Sequence, residues 1–141
     1  MDRLVRLVIY LCFLGSCVVA QPTSSTIRFG IFADTQYSNC SPLNNRFYRQ
    51  SLLKLDTCID CFNQQNVQFV ISLGDIIDRK NSDLDSIKYY LSYLHSEIYH
   101  ITGNHDYNEV SDNTVLYTQL DMPSSYYFFK KKNWIFIMGA G

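Results

Sequence analysis

The chain has 141 residues and a net charge of −1, from 12 Lys and Arg against 13 Asp and Glu. It is long enough for one domain with a buried core and too short for two. Near-neutrality gives no basis for a nucleic-acid partner: the one basic run, Lys130 to Lys132, lies between aromatic segments and reads as a solvated hairpin turn.

At the N-terminus, Arg3 and Arg6 precede the apolar run LVIYLCFLGSCVV, and Val18 and Ala20 stand before a plausible cut at Gln21. Residues 1–20 are therefore expected to be a secretory signal peptide, leaving residues 21–141 as the domain in a secreted or lumenal protein. The run is shorter than the roughly 20 residues a spanning helix needs, so no stable membrane insertion is expected after cleavage. Three cysteines then remain, Cys40, Cys58 and Cys61. Their odd number in an oxidising compartment predicts disulfides, with one thiol left to pair outside this sequence. The Cys58–Cys61 spacing lies within a helical pattern, with no second Cys or His pair, and so is not read as a redox or zinc site. Asn39-Cys40-Ser41 matches a glycosylation acceptor.

Along the mature chain, TIRFGIFA (26–33) reads as a buried strand that ends at Asp34. After a loop, Tyr48, Leu52, Leu55, Ile59 and Phe62 recur at helical spacing and predict a helix with one apolar face. VQFVISL (67–73) reads as a second strand, stopped by Gly74-Asp75. A second helical stripe follows at Leu84, Ile87, Leu91 and Leu94, with Asn81 or Ser82 placed to cap its start and His95 at its end. A third strand, EIYHIT (97–102), contains His100 and runs into Gly103-Asn104-His105-Asp106. The segment SSYYFFKKKNWIFIM predicts an antiparallel hairpin. Strand, helix, strand, helix, strand in that order predicts an α/β fold with right-handed crossovers and a parallel sheet covered by helices, the hairpin on its far side.

Each of the three strands ends in a polar cluster: Asp34 with Gln36, Asp75 with Asp78, and Asn104 with His105 and Asp106. Any one of them could be an ordinary turn or cap. In a parallel sheet, however, the carboxyl ends lie side by side and form the usual ligand edge. Together the clusters make an oxygen-rich pocket with one imidazole. His95 and His100 are not expected in it.

The blocks D-x-Q, GDIID and GNHD, separated by one strand-and-helix interval each, resemble the calcineurin-like metallophosphoesterases. Within them, Gln36 in place of the usual first His, together with YRQSLLKLDTCI and LGDIID, is most similar to the manganese-dependent ADP-ribose/CDP-alcohol diphosphatases. The resemblance implies a metallophosphoesterase sandwich of sheets flanked by helices, of which this sequence carries the N-terminal β-α-β-α-β part and the hairpin. It implies two divalent ions, Mn2+ first and Mg2+, Fe or Zn as alternatives, with Asp34 and Gln36 on one, Asn104 on the other and Asp75 bridging. His105 would be the catalytic residue, stabilising the transferring phosphoryl group and protonating the leaving oxygen. Asp106 would orient its imidazole, and Asp78 would brace the loop. The substrate would be small, phosphorylated and nucleotide-like.

Asp78-Arg79 also resembles the protein Ser/Thr phosphatases, but those carry a His where Gln36 stands. A secreted nucleotidase or phosphodiesterase of the same superfamily is the nearer alternative. The family's later His and final G-H-x-H do not occur in this sequence, so the domain is expected to be cut short at its C-terminal end. The chain is then either a fragment of an active enzyme or a short, non-catalytic product.

Overall fold

The computed structural model describes residues 26–107 and 113–139; the expected signal peptide lies outside them. At the centre is strand β2 (Phe69–Ser72), all four residues of which are buried. It pairs in parallel with β1 (Gly30–Phe32) on one side and β3 (Glu97–His100) on the other, in the order β1-β2-β3. The register sets Gly30 beside Val70 and Val70 beside Ile98. Side chains alternate across a strand, so these three share one face while Phe69, Ile71 and Tyr99 share the other.

Helix α1 (Ser51–Gln64) covers the Gly30 face, with Leu55 and Ile59 buried as the stripe predicts. Burying two such side chains is worth about 1.5–3 kcal/mol each. Gly30 is what lets the helix approach, because a Cβ there would stand 2.7 Å from the Phe62 ring. Tyr48 precedes the helix in a short 3-10 turn and is itself buried. Helix α2 (Leu84–Leu91) buries Leu84 and Ile87. Neither Asn81 nor Ser82 caps it: a 3-10 turn over Asn81–Asp83 winds directly into the helix. The carboxylate of Asp83 instead accepts from Ser38 Oγ (2.9 Å) and Asn39 N (3.3 Å), tying the loop after β1 to the start of α2.

The hairpin forms its own two-stranded sheet, β4 (Tyr126–Lys131) and β5 (Trp134–Gly139), and covers the Phe69 face. The contact is aromatic: Phe129 stacks on Tyr99 with ring centroids 3.5 Å apart, and Phe136 meets Phe69 edge-on at 4.9 Å. Helices, parallel sheet and hairpin thus make three layers. Between β3 and the hairpin lies α3 (Asn113–Gln119), an element the sequence pattern did not predict; it buries Leu116.

Three expectations need correction. The first strand is shorter and less buried than TIRFGIFA suggested: only Gly30–Phe32 is strand, and Ile31 is 50% exposed because β1 is a sheet edge. Leu94 and His95 lie beyond the end of α2, where His95 N donates to Asn63 Oδ1 at 2.9 Å. Cys40, Cys58 and Cys61 are free thiols rather than disulfide partners. None of the helices among the described residues is long and apolar enough to cross a membrane.

His100 is a core residue, as its place in a strand suggested, and burial pushes its imidazole down to about 4, only partly offset by Asp121. In the unfolded chain the same group titrates near 6.5, so between pH 6.5 and 4 the unfolded state binds the extra proton. Stability conferred by a neutral His100 is therefore full above pH 6.5 and falls as pH drops through that window, by about 3 kcal/mol at pH 4. Denaturant unfolding at pH 7 and pH 4 should show that loss, and His100→Gln should reduce it; an equal loss in both proteins would contradict the assignment.

Candidate active site

Past the end of the sheet the chain does not splay apart. Gln36 N donates to Asp75 O at 2.8 Å, Tyr37 N to Ile76 O at 3.0 Å, and Asp34 N to Gly74 O at 3.2 Å. The parallel ladder therefore continues beyond β1 and β2, with Tyr37 bridging to Ile77, and brings Asp34 and Gln36 against Asp75. On the other side, Asp75 Oδ1 accepts from His105 N at 3.0 Å, which joins the β3 end to the same point.

Two glycines permit this convergence. A Cβ on Gly103 would lie 2.1 Å from Asp75 Oδ1, and one on Gly74, whose φ is +89°, would lie 2.4 Å from Gly103 N. Only residues without a side chain let the two strand ends come so close. The local backbone is strained as well. Of seven non-glycine residues with positive φ among the described residues, three are Asp34 (55°), Gln36 (41°) and Asp75 (51°). Such conformations cost on the order of 1–3 kcal/mol each and persist where surrounding structure enforces them, commonly at functional sites. Three of the four expected metal ligands carry that strain.

The structure brings all three predicted clusters together but exchanges the roles of two acids. Asp106, expected to orient the imidazole, is buried beneath the loop: its Oδ1 accepts from Ile76 N (2.8 Å) and Ile77 N (3.1 Å), and its Oδ2 from Gly103 N (2.9 Å). Burial raises its pKa, and those three backbone donors pull the other way. It locks the β2 and β3 ends together. Asp78, expected to brace the loop, is the acid that faces His105, with Oδ1 3.3 Å from Nδ1. Asn104 opens the short 3-10 turn Asn104–Tyr107 and is exposed.

Two arginines absent from the sequence expectations border the site. Arg46 Nη2 donates to Gln36 Oε1 at 2.6 Å, and its Nη1 is 3.6 Å from Asp78 Oδ1. Arg79 Nε is 3.3 Å from Asp78 Oδ2. The Asp78-Arg79 dipeptide was visible in the sequence, but nothing in the loop around Arg46 signalled that it would fold back on Gln36.

Two carboxylates and two amide oxygens make a hard donor set, which suits Mn2+ or Mg2+ better than softer metals. In kind these residues fit divalent ions, and the close-packed glycines and strained backbone are what an enforced site requires. In number they are part of a coordination sphere: among the described residues no group of three His, Cys, Asp or Glu side chains stands close enough to hold a metal. Of the four expected ligands, two are acids, Asp34 and Asp75, and the other two are amides, Gln36 and Asn104.

The family model for calcineurin-like phosphoesterases matches residues 27–139. Among curated proteins, the manganese-dependent ADP-ribose/CDP-alcohol diphosphatase of Arabidopsis thaliana is 35% identical over an alignment covering 55% of this chain and 29% of that protein. The enzyme of the same name from Danio rerio is 32% identical, covering 66% and 33%, and that from Homo sapiens is 30% identical, covering 66% and 32%. A crystal structure of a dimetal phosphatase from Danio rerio superposes with a TM-score of 0.61 at 30% identity, covering 67% of this chain and 34% of that one. The chain thus spans about a third of the length of the relatives it matches.

Proposed function

Because the chain belongs to the calcineurin-like phosphoesterase family, we propose that it contributes the strand-end half of a dinuclear site that hydrolyses a phosphoanhydride, with ADP-ribose or a CDP-alcohol as the substrate type. The observation that carries this reading is the enforced convergence of Asp34, Gln36 and Asp75 in left-handed backbone, the first two bonded to Gly74 and Asp75 and the third packed on Gly103. The named activity of the similar proteins supports the substrate type and manganese. The leader-like residues 1–20 support an exported protein acting on nucleotide-like substrates outside the cytosol.

In this reading Asp34, Gln36, Asp75 and Asn104 would hold two divalent ions. When bound, the two ions supply charge neutralisation of the phosphoryl group and lower the pKa of the attacking water. The chain's own residues then do the rest. Two carboxylates against four positive charges leave the site cationic, so it attracts an anionic phosphate, and the neutral donors Gln36 and Asn104 preserve that excess. His105 is fixed at its backbone by Asp75 and faced at Nδ1 by Asp78, which leaves Nε2 to act on substrate. As water oxygen bonds to phosphorus and the anhydride P–O bond breaks, His105 donates its proton to the departing phosphate oxygen. Asp106 takes no part in that transfer; it keeps the loop carrying Asn104 and His105 in place.

Phosphorus-31 NMR of ADP-ribose incubated with the protein tests the reading. For these residues within a domain that has its full ligand set, the expected result is AMP and ribose 5-phosphate with Mn2+ and no turnover with chelator; the chain alone, with part of the coordination sphere, is expected to be inactive. Release of inorganic phosphate from AMP, with ADP-ribose untouched, would instead establish a nucleotidase.

A further inference from the structure

A partly enclosed cavity of about 160 Å³ lies between β3, α2 and the end of α3, and none of the expected metal ligands lines it. Its walls are aliphatic, from Leu91, Ile98 and Leu120. Two polar side chains, His100 and Gln119, line it as well, and each carries a buried atom left unpaired. Nδ1 of His100, a residue only 5% exposed, and Oε1 of Gln119 have no hydrogen-bond partner among the described residues. Buried polar atoms are nearly always paired, so two orphans on one cavity mark a place where a guest supplies the missing partners.

Size, charge and hydrogen bonding narrow that guest. A water takes about 30 Å³, whereas a dry cavity of about 150 Å³ accepts a benzene-sized ring. A cluster of waters would need polar partners that three aliphatic walls do not provide. A single flat ring would instead pack against them. Lys88 and Asp121, both exposed, border the cavity with opposite charges, which favours an uncharged guest. Burial pushes the His100 imidazole down to about 4 and so keeps that side neutral too. Gln119 Oε1 can only accept, so the guest must carry an N–H or O–H. Nδ1 of a neutral imidazole takes a donor or an acceptor, according to tautomer. An amide built into a ring presents N–H and C=O side by side and meets both demands.

We infer that this cavity binds an uncharged six-membered ring bearing an amide, with Gln119 accepting its N–H and His100 fixing the rest of its polar edge. The site is separate from the strand-end cluster, and its occupation does not depend on a metal there. His100 ends β3 and Gln119 ends α3, so a bound ring would tie those two elements together.

Amide NMR of the full chain titrated with uracil tests the site. Pyrimidine, a similar ring without an N–H, is the control, and Gln119→Met removes the acceptor while keeping the length of the side chain. The expected result is saturable shifts at Leu91, Ile98, His100 and Leu120 with uracil and about tenfold weaker binding of pyrimidine, the loss of one hydrogen bond. Uracil binding should fall by a similar factor in Gln119→Met. Because Oε1 is unpaired, that variant should fold at least as stably as the native chain, which a thermal melt checks. The comparison of the two rings in the native chain does not depend on the variant. No saturable shift with uracil would leave the cavity to water and overturn the site. Equal binding of uracil and pyrimidine, or full uracil affinity in Gln119→Met, would show that the walls alone hold a ring and overturn the amide recognition.

Discussion

In a domain with its full ligand set, Asp75→Asn is expected to lower Mn2+ affinity by more than about a hundredfold and to abolish Mn2+-dependent hydrolysis, while leaving the fold intact. Groups that merely orient a metal ligand typically cost 10–100-fold when removed, and a carboxylate between two cations should cost more. The fold should survive because Asn preserves the shape and keeps an acceptor for His105 N, which lies 3.0 Å from Asp75 Oδ1. Asp75 also occupies left-handed backbone, a conformation that Asn adopts as readily as Asp. Calorimetric Mn2+ titration beside the phosphorus-31 assay measures both parts. Retained Mn2+-dependent turnover would remove Asp75 from its bridging position.

The second large effect is expected at Asp106, and it is one of stability. Its carboxylate accepts three backbone N–H groups, from Ile76, Ile77 and Gly103, and the residue is 1% exposed. Asp106→Ala would strand those donors where water cannot easily replace the lost partner. Unsatisfied buried groups cost about 1–3 kcal/mol each, so a total loss of about 3–5 kcal/mol is expected. That is a large share of the 5–15 kcal/mol typical of a domain. Asp106→Asn should cost less, since one amide oxygen can still serve Ile76 and Ile77 while its NH2 opposes Gly103 N. Denaturant unfolding of the two variants checks the order. A loss below about 1 kcal/mol for Asp106→Ala would show that the carboxylate does not tie the strand ends together.

The contrast between these two acids shows where the sequence was legible. The order of strands and helices could be read because Leu55 with Ile59 and Leu84 with Ile87 repeat at helical spacing and are buried, while β2 is a continuous apolar run buried on both faces. The three polar clusters could be placed on one edge because a parallel sheet aligns its carboxyl ends. Which acid of a cluster faces which partner could not be read. Asp78 and Asp106 both follow a strand by a few residues, and only the turn geometry aims one at His105 and the other at backbone N–H groups. Arg46 was hidden for a related reason: it lies in a loop without periodicity, and its side chain meets Gln36 only because the Leu43–Arg46 turn closes as it does. Asp83 likewise sits in the right stretch to cap α2 but reaches back to Ser38. Periodic patterns specify elements, whereas side chains in irregular loops are aimed by contacts distant in sequence.

In the proposed function, three strand ends form one cation site. Manganese titration followed by amide NMR tests it most directly, because paramagnetic broadening reports distance from the ion. Signals of Asp34 to Gln36, Gly74 to Ile76 and Gly103 to His105 should be lost first and together, with those of Tyr126 to Gly139 in the hairpin unaffected and Mg2+ causing no broadening. Loss of signal elsewhere at low Mn2+, or loss at one strand end without the other two, would contradict it.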